Sequence, residues 1–302
     1  MKIKSDTFRG EDLESLVEYR TINHDSCIVC ESKENSHWAK SGTYNAIKCD
    51  ECGFIWMNPQ LNQEGLKKYY SDYIGKRRIN NNLKMQQRAI QYEEDIEFIE
   101  KFIDSGKMLD VGCSGGFFLE KFNSNFEKFG IEIDPEAVKF ANEKTFSNSI
   151  AKIQCGTLEE IAFQDKFDLI VMRGSIEHVP DPLQSINLVS KNLKIGGYFY
   201  ITATPNGESF SADLYRDQWT LFHPVQHLWH FSEKTLEKIC SRFDLELEAS
   251  LYPYLGTVYE NVKVDLLKIA KDIDLIENSE NKPSVSPPFF GNMMSLVFKK
   301  RK

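Results

Sequence analysis

The sequence predicts an α/β fold, one largely parallel sheet of short apolar strands alternating with helices, preceded by a small cysteine-rich module. Three observations carry this. The run Lys107-Met108-Leu109-Asp110-Val111-Gly112-Cys113-Ser114-Gly115-Gly116-Phe117-Phe118-Leu119-Glu120 is an apolar strand ending in an acid, a loop of small residues and a helix start. An α/β sheet presents a nucleotide-like ligand at its carboxyl edge in this way. Phe167 to Arg173 is a continuous apolar run of the kind a parallel sheet buries on both faces. Upstream, Cys27-Ile28-Val29-Cys30 and Cys49-Asp50-Glu51-Cys52 form two C-x2-C pairs separated by eighteen residues, a spacing suited to tetrahedral thiolate coordination of Zn²⁺.

Composition sets the bounds. A chain of 302 residues, 41% hydrophobic and 27% charged, can bury one large core and one small satellite. The division read from it is a tail and zinc ribbon over 1–60, a linker over 61–83 and an α/β domain over 84–302. No signal peptide, spanning apolar run or lipidation motif is read, so the expectation is a cytoplasmic protein without membrane insertion. In that reducing setting four of the seven cysteines are metal ligands, and Cys113, Cys155 and Cys240 are ordinary buried thiols. The net charge of −8 and the excess of Asp25, Glu31, Glu34, Asp50 and Glu51 over Lys33, Lys40 and Lys48 around the cysteines make a poor surface for phosphate backbones. Nucleic acid is therefore not the expected partner. Oligomeric state is not legible.

The elements follow in order. The ribbon occupies 24–58, with Gly53 after the second cysteine pair where a tight turn is expected. Four thiolates close its coordination sphere, so its metal is structural. In the linker, Lys76-Arg77-Arg78 is a solvated turn or a clamp for the diphosphate of an activated sugar. Met85, Ala89, Tyr92, Ile96, Ile99 and Ile103 recur at spacings of three and four, giving one apolar stripe of a helix that packs on the sheet. After the first strand, Lys128 to Asp134 reads as a second strand ending in acids, and Pro135 starts a helix. Ile150 to Cys155 is the third strand and Phe167 to Arg173 the fourth. A helix from Pro182 to Leu193 stops at Gly196-Gly197 before a fifth strand, Gly197 to Ala203. Leu245 to Tyr252 and Ser295 to Lys299 complete seven strands, and 277–288 is a polar, Pro-containing loop.

The loop after the first strand selects its ligand. Ser114 stands where a dinucleotide fingerprint needs its second glycine, and Asp110 would repel phosphates in a poorly screened cleft. S-adenosylmethionine (SAM) carries no phosphate but an ammonium and a sulfonium, both of which Asp110 would attract.

On these residues the chain resembles the class I SAM-dependent methyltransferases over roughly 85–300, with Asp110, Gly112 and Gly116 matching acid-x-G-x-G-x-G and Ser114 in place of the middle glycine. The resemblance implies a Rossmann-like seven-stranded sheet. It implies cofactor contacts from Asp110, Gly112, Ser114 and Gly116, from Glu132 to the ribose hydroxyls with Ile133 beside it, and from Arg173 after strand four. Thr157 stands where the family usually has an acid for the adenine amino group, leaving the backbone near Leu158 to serve. Gly174-Ser175-Ile176-Glu177-His178-Val179-Pro180 looks like the segment that places Glu-His beside the reacting groups. His223, His227 and His230 follow strand five. His227, and after it His178, are the expected general bases.

The ribbon, with Cys49 to Pro59, makes the layout similar to bacterial sugar-modifying methyltransferases, including sugar C-methyltransferases. Those carry a further C-terminal domain and a Glu-His pair where this chain has Gln226-His227. The lost carboxylate points to an oxygen or nitrogen acceptor rather than carbon. The expected acceptor is a small polar molecule, a saccharide or nucleotide-sugar of surface-glycan biosynthesis, stacked on Tyr215, Trp219, Phe222, Trp229 or Phe231; equally, those rings cover the sheet edge. The alternatives are a quinone precursor, an RNA base, a sugar carbon, or a non-catalytic zinc-ribbon binding protein whose Ser114 and Thr157 mark a degenerate SAM fold.

Overall fold

The structure, a computed structural model, describes residues 14–70, 82–147, 151–278 and 283–302. Lys76-Arg77-Arg78, Ile150, the side chain of Met85 and part of the 277–288 loop lie outside the described residues. Two sheets organise the rest. A small one joins β1 (Asn35–Ser41), β2 (Tyr44–Cys49) and β3 (Ile55–Met57) in an antiparallel meander. Gly53, at φ +74, makes the turn between β2 and β3 that a side chain would strain.

The large sheet holds β4 (Gly106–Val111), β5 (Phe126–Glu132), β6 (Ala151–Cys155), β7 (Phe167–Arg173), β8 (Leu193–Pro205), β10 (Leu245–Leu251) and β11 (Met293–Lys300) in the order β10-β11-β8-β7-β4-β5-β6. The five strands from β8 to β6 are parallel and β11 runs antiparallel to both its neighbours. This is the expected seven-stranded Rossmann-like sheet. Chain order reverses between β4 and β7, so the crevice outside their carboxyl ends is where such a sheet binds ligands.

Local chemistry sets the boundaries. Asp134 and Asp181 cap the helices that Pro135 and Pro182 open, accepting from Glu136 N at 3.0 Å and Gln184 N at 2.9 Å. The second of these helices ends at Asn192 and β8 begins at Leu193. The fifth strand is thus longer than expected, with Gly196-Gly197 inside it rather than before it. The helix Asn82–Ile99 buries Tyr92, Ile96 and Ile99, as its stripe predicts. Within the segment read as linker, Gln63–Tyr70 is helical. No helix among the described residues is long and apolar enough to cross a membrane.

The cysteine module is not set apart from the large sheet. Strand β9 (Trp229–His230), from the loop after β8, pairs with β3 and extends the small sheet to four strands. Trp38, Tyr44, Phe54 and Trp56 share one apolar cluster with Trp219, Phe222, Trp229 and Phe231. The module has too few apolar residues to bury its own, and the loop supplies the other wall.

Candidate functional site

A cavity of about 810 Å³ opens at the carboxyl edge, over the ends of β4 and β7. Asp110, Gly112 and Arg173 line it. Asp110 is 2% exposed. Gly112 sits at φ +79, and a Cβ there would meet Ser175 Cβ at 3.1 Å, so the loop approaches closely only as glycine.

Beside it, the loop is held by backbone donors on one carboxylate. Glu132 Oε2 accepts from Ser114 N at 2.8 Å, and Oε1 accepts from Ile133 N at 2.8 Å and Asp134 N at 3.1 Å. A carboxylate offers about four acceptor positions, so capacity remains for a hydroxyl ligand. Ser114 adopts φ +52 and Gly116 φ +75; the serine thus takes the left-handed backbone that the glycine motif provides at its middle position. Ser114, Gly116, Glu132, Ile133, Thr157 and Leu158 sit on the β5–β6 side of the edge and do not line the cavity. Thr157 N donates to Glu160 Oε2 at 3.0 Å, and Leu158 is buried. An acid at strand end β4, a glycine cradle and a second acid held at strand end β5 fit an uncharged ribose and a cationic sulfonium.

Opposite, the loops after β7 and β8 bring Glu177, His178 and His227 together, one donor atom of each lying within 4.8 Å of the others. All three line the cavity. His227 Nδ1 lies 2.8 Å from Leu221 O. A carbonyl only accepts, so Nδ1 carries the proton and Nε2 keeps a lone pair. Burial, then the neighbouring His223, His178 and His230, hold the His227 pKa well below its usual value, so the ring is neutral at pH 7. Burial pushes the Glu177 carboxyl up to about 8 against the Thr204 hydroxyl and Arg173, which leaves it mostly protonated at neutral pH. His178 Nδ1 bonds Tyr70 Oη at 3.0 Å, and its Nε2 lies 3.7 Å from Glu177 Oε1. The cluster can take a proton on a histidine nitrogen and hold another on the acid.

Two members of this wall were not read from the sequence. Tyr70 ends the helix Gln63–Tyr70, and only the folded chain brings it to His178. Asp95 accepts from Arg173 Nε at 2.8 Å and from Thr202 Oγ1 at 2.7 Å, while the guanidinium lies 4.5 Å from the Tyr92 ring centroid. A signal for Asp95 existed, since it is an acid on the apolar stripe of its helix.

One open alternative is decided and one expectation is corrected. Tyr215, Trp219, Phe222, Trp229 and Phe231 are buried and none lines the cavity. Trp219, Phe222, Trp229 and Phe231 pack on Trp38 and Phe54 of the module, Tyr215 bonds Asp272, and the reading of these rings as cover is the one that holds. The aromatic side chains at the cavity include Tyr92, Phe118, Tyr254 and Phe289. Of the three remaining cysteines, Cys113 and Cys240 are buried but Cys155 is exposed, because it ends the edge strand β6.

Cys27, Cys30, Cys49 and Cys52 converge with their sulfurs within 4.8 Å of one another. Cys27 and Cys52 are 3.5 Å apart and Cys30 and Cys49 3.4 Å. These separations are far beyond a disulfide bond and near the edge of about 3.8 Å that a tetrahedron with Zn–S of about 2.3 Å requires.

Comparison with known proteins agrees with this geometry. The pattern of a family described as a methyltransferase domain matches residues 84–250. The ubiquinone biosynthesis O-methyltransferase of Idiomarina loihiensis is 32% identical over 121 residues, which cover 37% of this chain and 50% of that protein. The enzyme of the same description from Xanthomonas campestris pv. campestris is 30% identical over 104 residues, 33% of this chain and 44% of that protein. The chain spans about half the length of the curated relatives it matches. Among solved structures, a SAM-dependent methyltransferase from Thermotoga maritima covers 76% of this chain and 99% of its own at 17% identity and a TM-score of 0.52. A chain from the Haloferax volcanii complex of the Trm112 methyltransferase activator with a methyltransferase covers 73% of this chain and 95% of its own, at 13% identity and a TM-score of 0.54. Both structures share the fold. With more than half of its length matching the family pattern, the chain belongs to the methyltransferase-domain family.

Proposed function

We propose that the protein moves the methyl group of SAM to an oxygen or nitrogen of a small polar acceptor, foremost a saccharide or nucleotide-sugar used in surface-glycan biosynthesis in the cytoplasm. The observation that carries this reading is the neutral His227, its Nε2 lone pair in the same cavity whose floor is Asp110 and Gly112. When bound, SAM supplies an electrophilic methyl on a cationic sulfur. Asp110 attracts the ammonium and sulfonium. Gly112, Ser114 and Gly116 shape the loop against the donor, Glu132 takes the ribose hydroxyls with Ile133 beside the adenine, and Thr157 with the Leu158 backbone borders the base. Arg173, fixed by Asp95, closes the wall between the two ligands.

His227 Nε2 would take the proton of the acceptor's hydroxyl or amine as that atom gains the methyl group that bound SAM would supply, the C–S electron pair staying with the sulfur. His178, held by Tyr70, is the second candidate base, and Glu177 lies within reach of both rings, a neutral acid at pH 7 that gains charge to offset an imidazolium only on giving up its own proton. Polar groups such as Gln91, Thr220, Gln226 and Asn292 around the cavity suit a hydroxylated acceptor. A quinone precursor is the second reading, favoured by the curated O-methyltransferase relatives and by Tyr92, Phe118, Tyr254 and Phe289 at the cavity. In the module, Cys27, Cys30, Cys49 and Cys52 hold one structural Zn²⁺, which leaves no coordination position for substrate.

The test is turnover of SAM with a panel of nucleotide-sugars, free saccharides and catechols, read as a product one methyl group heavier. His227→Ala is expected to lower turnover by about 100-fold or more with SAM affinity unchanged by calorimetry. Equal losses in both would show that His227 is not the base.

A further inference from the structure

Leu228, the residue after His227, is held from two sides. Its N–H donates to Glu177 O at 2.9 Å. Its carbonyl accepts from Met57 N at 2.9 Å and from Gln60 Nε2 at 3.1 Å. Trp229 repeats the pattern, with its indole N–H donating to Val179 O at 2.8 Å and its ring packed on Phe54 and His24. The segment 227–229 is thus joined to 177–179 on one side and to 54–60 of the cysteine module on the other.

Gln60 is a polar side chain of this joint that neither belongs to the cysteine cluster nor lines the cavity. It is 3% exposed, and its Oε1 meets His24 Nε2 at 3.2 Å. Its main chain is bridged to Ile22 in both directions, at 2.8 and 3.2 Å. Burying an amide costs free energy unless both ends are bonded, and here one end is bonded to the backbone beside His227.

We propose that Gln60 is a positioning residue of the active site, through which the cysteine module fixes His227 against Glu177. The proposal rests on the reading of His227 as the proton acceptor. Without the Gln60 bond, Leu228 O keeps only Met57 N, and the loop carrying His227 loosens on the module side. Water then reaches a ring now enclosed by His178, His223, His230 and Glu177, and its titration moves toward that of an exposed histidine.

Histidine-ring nitrogen NMR on the full chain from pH 5 to 8 reads this without an acceptor. In the wild type His227 stays neutral with its proton on Nδ1. In Gln60→Met, which keeps the length and loses both polar ends, its midpoint is expected to rise by about one pH unit or more, with SAM affinity within twofold by calorimetry. Gln60→Glu keeps an acceptor toward His24 and loses the donor toward Leu228; it should give the same shift. Unchanged His227 titration in both variants overturns the proposal, and so does loss of the folded state in both, which would make Gln60 a determinant of stability alone. Failure of the catalytic reading is seen separately, as full turnover by His227→Ala.

Discussion

The two sides of the sheet's carboxyl edge draw on the chain in different ways. On the β4–β6 side, Ser114 and Glu132 meet across 18 positions, and the geometry is backbone geometry, made of positive φ angles and N–H groups aimed at one carboxylate. On the β7–β8 side, Tyr70 reaches His178 across 108 positions and Gln60 reaches Leu228 across 168. On the proposed reading the donor side is a local motif built from neighbouring strand ends, and the acceptor side is an assembly that includes contacts from the cysteine module. Donor binding and acceptor chemistry should therefore fail separately.

The largest expected effect breaks the acceptor side as a whole. Cys27→Ser removes one of four thiolates, and the binding free energy of a structural zinc is folding free energy, on the order of 10 kcal/mol. That is comparable to the stability of a whole domain. Metal analysis should find one zinc per wild-type chain and none in the variant, with loss of the cooperative thermal transition. A metal-free wild type that melts normally would sink the zinc assignment and leave the module held by its aromatic core.

Acid should attack the same side next. His230 is 2% exposed, surrounded by Trp38, Trp219 and Phe222, and neither ring nitrogen has a hydrogen-bond partner among the described residues. Burial, then His223, pushes its pKa down to about 3. A folded pKa below the unfolded value of about 6.5 means that the unfolded chain binds the proton first. Stability therefore falls as pH drops from about 6.5 toward 3, by up to about 5 kcal/mol, and His227 adds in the same direction. Glu177, raised to about 8, works oppositely between about 4.5 and 8, where the folded chain keeps a proton that the unfolded chain releases. Denaturant midpoints across pH should thus fall most steeply below about 4.5. His230→Phe should flatten that slope, and an unchanged slope would mean that the ring is not the buried neutral group described.

How much was legible follows the same division. Asp110, Gly112, Gly116 and Glu132 could be read because a strand, a turn and a strand end follow one another in sequence, and the period of the apolar residues places them. The cysteine pairs were legible for the same reason. Glu177 and His178 follow β7 directly, and His227 was found as a histidine in the next loop. Tyr70 and Gln60 are not legible, since nothing within ten residues of either signals a partner, and Asp95 is legible only as an acid on an apolar stripe, without its partners Arg173 and Thr202. The aromatic residues of the β8 loop stay open in the sequence between a stacking face and a cover for the sheet edge, because composition does not say whether a ring faces a ligand or a second module, and the β3–β9 pairing decides for the cover.

On the donor side the expected effects are smaller and leave the fold intact. Asp110→Asn keeps the shape of the cavity floor and removes its charge. SAM affinity should fall by about 100-fold, equivalent to about 2.7 kcal/mol, with the His227 titration unmoved. If both change together, the two sides are not separable and the comparison fails.

The finest discrimination lies at Ser114. Its φ of +52 costs a side chain about 1 kcal/mol relative to glycine, while a glycine stabilises the unfolded state by nearly as much through added freedom. Its N–H bond to Glu132 is a backbone bond that substitution leaves in place. Ser114→Gly should therefore shift stability by less than about 1 kcal/mol and SAM affinity by less than about threefold. That outcome would mark the serine as a tolerated variant of a backbone-built donor site. A loss of tenfold or more would show instead that the hydroxyl itself meets the donor, and that this side too depends on a side chain its motif does not announce.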